Sequence, residues 1–320
     1  MTRGQGEATA QASLTVAAAA DGLVGRRITV TALRKTANAG LARWQFRAAD
    51  DHGEAVEAML LRRSYARMEM GPAEPILQQV SEPAIYGGII VDHYGHFLLE
   101  TLNRVWAMRC CPDRRTVWHV TGPTVRPWQR EIAALLGFDF DAGIRVTQAT
   151  AFQDLVAPEP GFVIGVGCSP EQAEALGAFP ARRPIPGRRI WVSRSLLPAH
   201  KGTLVGEDRL EAALQERGWL VFHPQLHGIL TQLETMCDAE VIAGVEGSAL
   251  HSLLLTRGLG AEVRILQRGR VLNPNYDIIA RARGFRQSST FAGLRRIAGS
   301  GATATQTIED FDAVLDFVAS

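Results

Sequence analysis

The stretch VDHYGHFLLETLNR, Val91 to Arg104, sets two histidines, a carboxylate, an asparagine and an arginine in an otherwise apolar run. The spacing predicts a helix from about Tyr94. Leu98, Leu99, Leu102, Val105 and Trp106 make its apolar stripe, and His96, Glu100, Asn103 and Arg104 fall together on another face at intervals of three and four. His96 would sit in the first turn, where the positive end of the helix dipole disfavours an imidazolium. A neutral imidazole there can take a proton from a hydroxyl. The plainer alternative is a solvated helix face with a satisfied histidine. Metal ligation by His93, His96 and Glu100 is a third reading, weakened by the lack of the two-histidine, four-apart geometry with a further ligand.

Three further stretches carry anion-binding chemistry. In VIAGVEGSALHSLLL an apolar strand runs through Gly244, Glu246, Gly247 and Ser248 straight into a helix. Glycines at such a turn let the backbone approach a ligand, and the free amides of the first turn favour phosphate. A carboxylate at Glu246 would repel a phosphate but could accept from a ribose or sugar hydroxyl. In RRIWVSRSLLP, Ser193 and Arg194 close a predicted strand, where a guanidinium suits bidentate contact with a diphosphate. In NPNYDIIARARG, Asn273, Asn275 and Tyr276 open a helix, as caps or as ligand contacts.

The elements that must position these residues alternate between strand and helix. RRITVTAL, ARWQFRAAD, AIYGGIIV, TVWHVTG, IRVTQA and DLVAPE read as strands, with RPWQREIAALLGF as a helix among them. A second alternating series runs from RIWVSRS to NYDIIARARG, and an amphipathic helix at 307–319 closes the chain with Phe311, Val314, Leu315 and Val318 on one side. The pattern is that of α/β layers with mostly parallel sheets. The three-proline stretch GAFPARRPIPGRR, Gly177 to Arg189, is the expected domain boundary. It divides the chain into a flexible leader (1–20), an N-terminal α/β domain (21–180) and a C-terminal α/β domain (186–320), with ligands expected in the cleft between the two.

Composition narrows the function classes. The 320 residues are 46% hydrophobic and 21% charged, with a formal net charge of +1. No global field draws the chain to nucleic acid or an anionic membrane. Cys110, Cys111, Cys168 and Cys237 form no C-x-x-C pair, which fits reduced thiols and a cytoplasmic location. Glu7 and small polar residues interrupt the N-terminal stretch, so no signal peptide is expected, and no run approaches the ~18 apolar residues of a membrane span. Membrane association is expected to be peripheral at most.

Taken in order, these residues resemble glycosyltransferase family 61, which includes plant xylosyl- and arabinosyltransferases, animal N-acetylglucosaminyltransferases and many bacterial capsule-type proteins. The resemblance rests on HYGHFLLETLNR from His93 to Arg104, the pair Ser193 and Arg194, the G-x-x-G-x-x-L turn from Gly244 to Leu250, and the N-Y-x(5)-A-x-G run from Asn275 to Gly284. It implies a GT-B-like architecture of two Rossmann-like domains facing a cleft, and an inverting hexosyl- or pentosyltransferase without an essential metal or other cofactor. The donor would be a nucleoside-diphosphate sugar, a UDP-sugar foremost, and the acceptor a glycan or lipid-linked saccharide hydroxyl, as in bacterial polysaccharide biosynthesis. Ser193, Arg194, Glu246, Gly247, Ser248, Asn275 and Tyr276 would hold the donor. His96 would act as base, oriented by Glu100 and joined by His93 in the catalytic group, with Asn103 and Arg104 on the acceptor side. Many members carry histidine in the G-x-H-G turn where this chain has Glu246, and a non-catalytic nucleotide- or glycan-binding protein with the same two-domain shell is the rival reading.

Overall fold

The computed structural model describes residues 22–180, 182–299 and 303–320; the expected leader lies outside them. Apolar, β-branched runs form two main sheets. In the first, Ala84–Ile90, Arg115–Val120 and Ile144–Arg145 run parallel toward one edge, and Thr150–Val156 pairs in parallel on the other side of Ala84–Ile90. In order along the chain these four strands lie 3-2-1-4 across the sheet, half of a doubly wound pattern. Beyond Thr150–Val156 the sheet turns antiparallel through Arg26–Val30 and Ala48–Asp50.

The second sheet is wholly parallel. Its order is Leu220–Phe222, Arg189–Val192, Val241–Val245, Glu262–Leu266 and Arg286–Thr290, or 2-1-3-4-5 in chain order. Crossovers run through helices Glu207–Glu216, Ile229–Met236 and Pro274–Arg283, and through the 3-10 segment Ser248–Leu255. In such sheets ligands bind beyond the carboxyl ends of the strands where the winding reverses. Here the reversals fall between Ala84–Ile90 and Thr150–Val156, and between Arg189–Val192 and Val241–Val245. The segments leaving those strand ends include Val91–His96 in one sheet, and Ser193–Arg194 and Glu246–Ser248 in the other. The fold is mixed α/β with parallel sheets.

One expectation is corrected. The segment from Tyr94 is not one amphipathic helix: a single α-turn, Tyr94–His96, passes into a π-turn at Phe97–Thr101, breaks at Leu102–Arg104 and resumes as Val105–Cys110. Every residue from Phe97 to Met108 is buried, so its polar groups are internal and the solvated-face reading does not apply. The largest apolar cluster joins Ile85, Phe97 and Trp106 to Ile190, Leu253 and Ile279, because a segment buried all round needs apolar cover from both sheets. The proline-rich stretch itself docks on the second half, with the Arg182 and Ile185 amides donating to Cys237 and Asp238 carbonyls, each at 2.9 Å. The final helix, Phe311–Ala319, packs Val314 and Val318 against Trp191, Leu210 and Leu214.

Candidate active site

His93 and His96 lie just past the carboxyl end of Ala84–Ile90. His93 caps the short turn, its Nδ1 accepting from the His96 amide at 3.4 Å, and the two rings stand 4.9 Å apart. Glu100, 2% exposed, sits one turn on inside the π-turn. A π-turn is an energetically poor piece of helix that recurs at functional sites, and here it holds the Glu100 Oε2 atom 2.8 Å from His96 Nδ1. Arg63 closes the group from a distant hairpin, Arg62–Arg63 paired with Ala66–Arg67. Its Nε and Nη2 donate to Glu100 Oε1 and Oε2 at 2.7 and 2.8 Å, a bidentate pair. Burial opposes ionisation of Glu100, yet the hydrogen bonds from His96 and Arg63 outweigh it and hold the carboxyl below its usual range. The His96 side chain is 35% exposed; a tautomer with its proton on Nδ1, toward Glu100, would leave the lone pair on Nε2. Burial, helped by His96, holds His93 below the usual histidine range.

The second wall is built by two strand ends and the loop after Glu262–Leu266. A Cβ on Gly247 would stand 2.5 Å from Arg194 Nη1, so any larger residue there would have to push the guanidinium aside. Arg194 and Arg268 both donate to the Lys201 carbonyl, at 2.8 and 3.3 Å. Burial, then the neighbouring Arg268, pushes Arg194 down to about 10, and burial also lowers Arg268. Two guanidinium groups side by side beside a glycine turn and the first amides of Ser248–Leu255 make a strong anion receptor. Tyr276 is buried against it, its phenol facing the Gly247 amide and both arginines; burial pushes its pKa up.

The walls meet at one seam. A Cβ on Gly95 would lie 2.9 Å from the Ser248 Cβ and 3.1 Å from His251 Nδ1. His96 and Arg194 thus each adjoin one of two consecutive residues of the turn, His96 through Gly95 on Ser248 and Arg194 on Gly247. Tyr94 stitches the same seam, its hydroxyl 2.7 Å from Ser252 Oγ. His251 lies beneath with its ring 5.1 Å from that of Tyr276 and neither nitrogen hydrogen-bonded. Burial, then the charges of His96 and His93, pushes it down to about 3.

Other expected site residues have structural partners. Glu246 accepts from the Arg268 and Asn273 amides at 2.9 and 3.2 Å, so both oxygens brace the loop carrying Arg268. The buried Ser193 hydroxyl is bonded to Glu211 and Ser195. Asn275 accepts from the Gly165 amide at 3.0 Å. Asn103 and Arg104 do not share the His96 face. The break after the π-turn drives both inward, and Arg104, with no exposure, donates to the carbonyls of Pro158 and Ala58 and to Asn103 Oδ1.

Sequence reasoning missed Arg63, Arg268 and His251. Arg63 was legible only as part of a basic stretch and Arg268 as one of two arginines after a strand; His251 carried no signal beyond lying in the turn motif. Two D-x-D pairs exist and neither adjoins these walls. Asp141 pairs with Arg130 and Arg145, its amide bonded to Asp139, and Asp310 caps the final helix. Among the described residues no group of three acidic, histidine or cysteine side chains has metal-holding geometry, and the fork of Arg63 occupies Glu100 where a cation would stand. A hollow of about 500 Å³ lined by Met108, Arg115 and Phe138 lies at the amino ends of the first sheet's strands, the wrong side for a doubly wound site.

A parallel-stranded α/β fold here sets an imidazole–carboxylate pair against an arginine-lined glycine turn. The family model for glycosyltransferase 61 matches residues 94–259, just over half of the chain, and the chain belongs to that family. It is a glycosyltransferase. No curated protein matches it. Among the described residues no helix is long and apolar enough to cross a membrane.

Proposed function

We infer that the chain is an inverting glycosyltransferase of GT-B type that works without a divalent cation, moving a hexosyl or pentosyl group from a nucleoside-diphosphate sugar, a UDP-sugar foremost, to a glycan or polysaccharide-precursor hydroxyl. The observation that carries this reading is the seam at Gly95 and Ser248, which sets a His96–Glu100 base beside the Arg194–Arg268–Gly247 anion receptor. The acceptor hydroxyl gives its proton to His96 Nε2 while its oxygen bonds to the anomeric carbon. The bond from that carbon to the diphosphate breaks on the opposite side, and its electron pair leaves on the diphosphate. Arg194, Arg268 and the amides at Gly247 and Ser248 stabilise that charge where a cation would otherwise be needed. Residues 21–180 would carry the acceptor side and 186–320 the donor side, in a bacterial cytoplasmic enzyme of polysaccharide assembly.

The test is incubation with a panel of uridine, guanosine, cytidine and thymidine diphosphate sugars, with and without oligosaccharide acceptors. Transfer with inversion at the anomeric carbon, undiminished by a chelator, is the expected result. Nucleotide-sugar binding with neither transfer nor hydrolysis would instead support the non-catalytic rival.

A further inference from the structure

Arg63 lies outside the stretch that matches the family model and touches neither the glycine turn nor the arginine pair. It nonetheless makes the closest cationic contact of the His96–Glu100 pair. Its side chain is 14% exposed and that of Glu100 3%, so the ion pair is shielded from water and salt screens it little. Its Nη2 also stands 3.3 Å from His96 Nδ1, and Tyr65, next but one along the hairpin, interacts with the guanidinium.

Two charge states of the pair have opposite consequences for a base. A lone buried carboxylate 2.8 Å from an imidazole favours the imidazolium, which has no lone pair to offer. A carboxylate neutralised by a bidentate guanidinium still orients the ring but no longer draws a proton onto it. We propose that Arg63 is a positioning residue that tunes His96: its fork cancels the charge of Glu100, so that the carboxylate fixes the ring without protonating it.

The other groups facing His96 do not supply this. Burial lowers the pKa of both His93 and His251, and Lys201 and Asp92 bear on His93. The inference deepens the glycosyl-transfer reading, yet its main test does not require turnover.

The experiment is an NMR titration of the His96 ring in the full chain, labelled at histidine Cε1, with His96→Gln for assignment. It is run on the parent, Arg63→Met and Arg63→Lys, beside the pH profile of kcat/KM. In Arg63→Met the His96 titration is expected to rise by about 1 pH unit or more, the size of effect that a close uncompensated charge produces. The acid limb of kcat/KM should follow it. Arg63→Lys keeps a cation and should titrate within a few tenths of a unit of the parent. An unmoved His96 titration in folded Arg63→Met overturns the inference. If that variant does not fold, Arg63→Lys decides: titration near the parent's supports the charge-cancelling role, and a rise of a full unit refutes it. A His96 titration that moves as expected in a protein showing no transfer would leave the Arg63 inference standing and remove the catalytic reading.

Discussion

Gly95 and Ser248 approach so closely that a methyl group on the glycine would stand 2.9 Å from the serine Cβ. The contact joins the segment leaving the first sheet to the turn leaving the second, across nearly half the chain. Because both segments are anchored in one shared core, the approach cannot relax by swinging two halves apart. An alanine at Gly95 must push on Ser248 and His251 together. Gly95→Ala is expected to lose about 1–3 kcal/mol of stability, the usual range for an overpacked site, and to reduce turnover more than that loss explains. Urea unfolding and kcat on the same preparations check both halves; a variant with parental kcat would show that the seam does not set the site.

His96→Ala should lower kcat by about 10²- to 10⁴-fold, the contribution of a general base, while calorimetric affinity for the nucleoside diphosphate stays at the parent's level. Glu100 would keep its pair with Arg63 in this variant, so the fold should survive. Turnover within a few-fold of the parent would remove His96 from the mechanism.

Arg194→Ala and Arg268→Ala should each weaken nucleoside diphosphate binding by about 10- to 100-fold, since a hydrogen bond to a charged group contributes about 1.5–3 kcal/mol. Gly247→Ala should act in the same direction, as its new Cβ would fall 2.5 Å from Arg194 Nη1. Calorimetry reads all three, and parental affinity in Arg268→Ala would place that residue outside the donor site.

Acid stability should depend on His251. Its folded-state pKa is pushed down to about 3 by burial, so the unfolded chain takes up a proton below about pH 6.5 that the folded chain refuses. Stability is therefore lost as pH falls from about 6.5 toward 3. His251→Leu removes this titration, and by pH 5 the parent should have lost about 2 kcal/mol that the variant keeps. Denaturant melts of both proteins at pH 7.5 and 5.0 test it; equal acid losses would count against the burial of a neutral ring.

What the sequence determined about this protein was local. The four-residue interval between His96 and Glu100 makes them neighbours in any helical turn, and strand-to-turn patterns put Arg194 and Gly247 at carboxyl ends. Alternation of strand and helix is enough to imply parallel sheets. Only the tertiary structure decided which of these ends meet, because strand order is a choice among topologies that share one local pattern. It brought Arg63 thirty-seven positions back along the chain to Glu100 and Arg268 to Arg194. It also turned Asn103 and Arg104 inward, since a π-turn rotates everything after it out of the 3.6-residue register on which a helical reading depends.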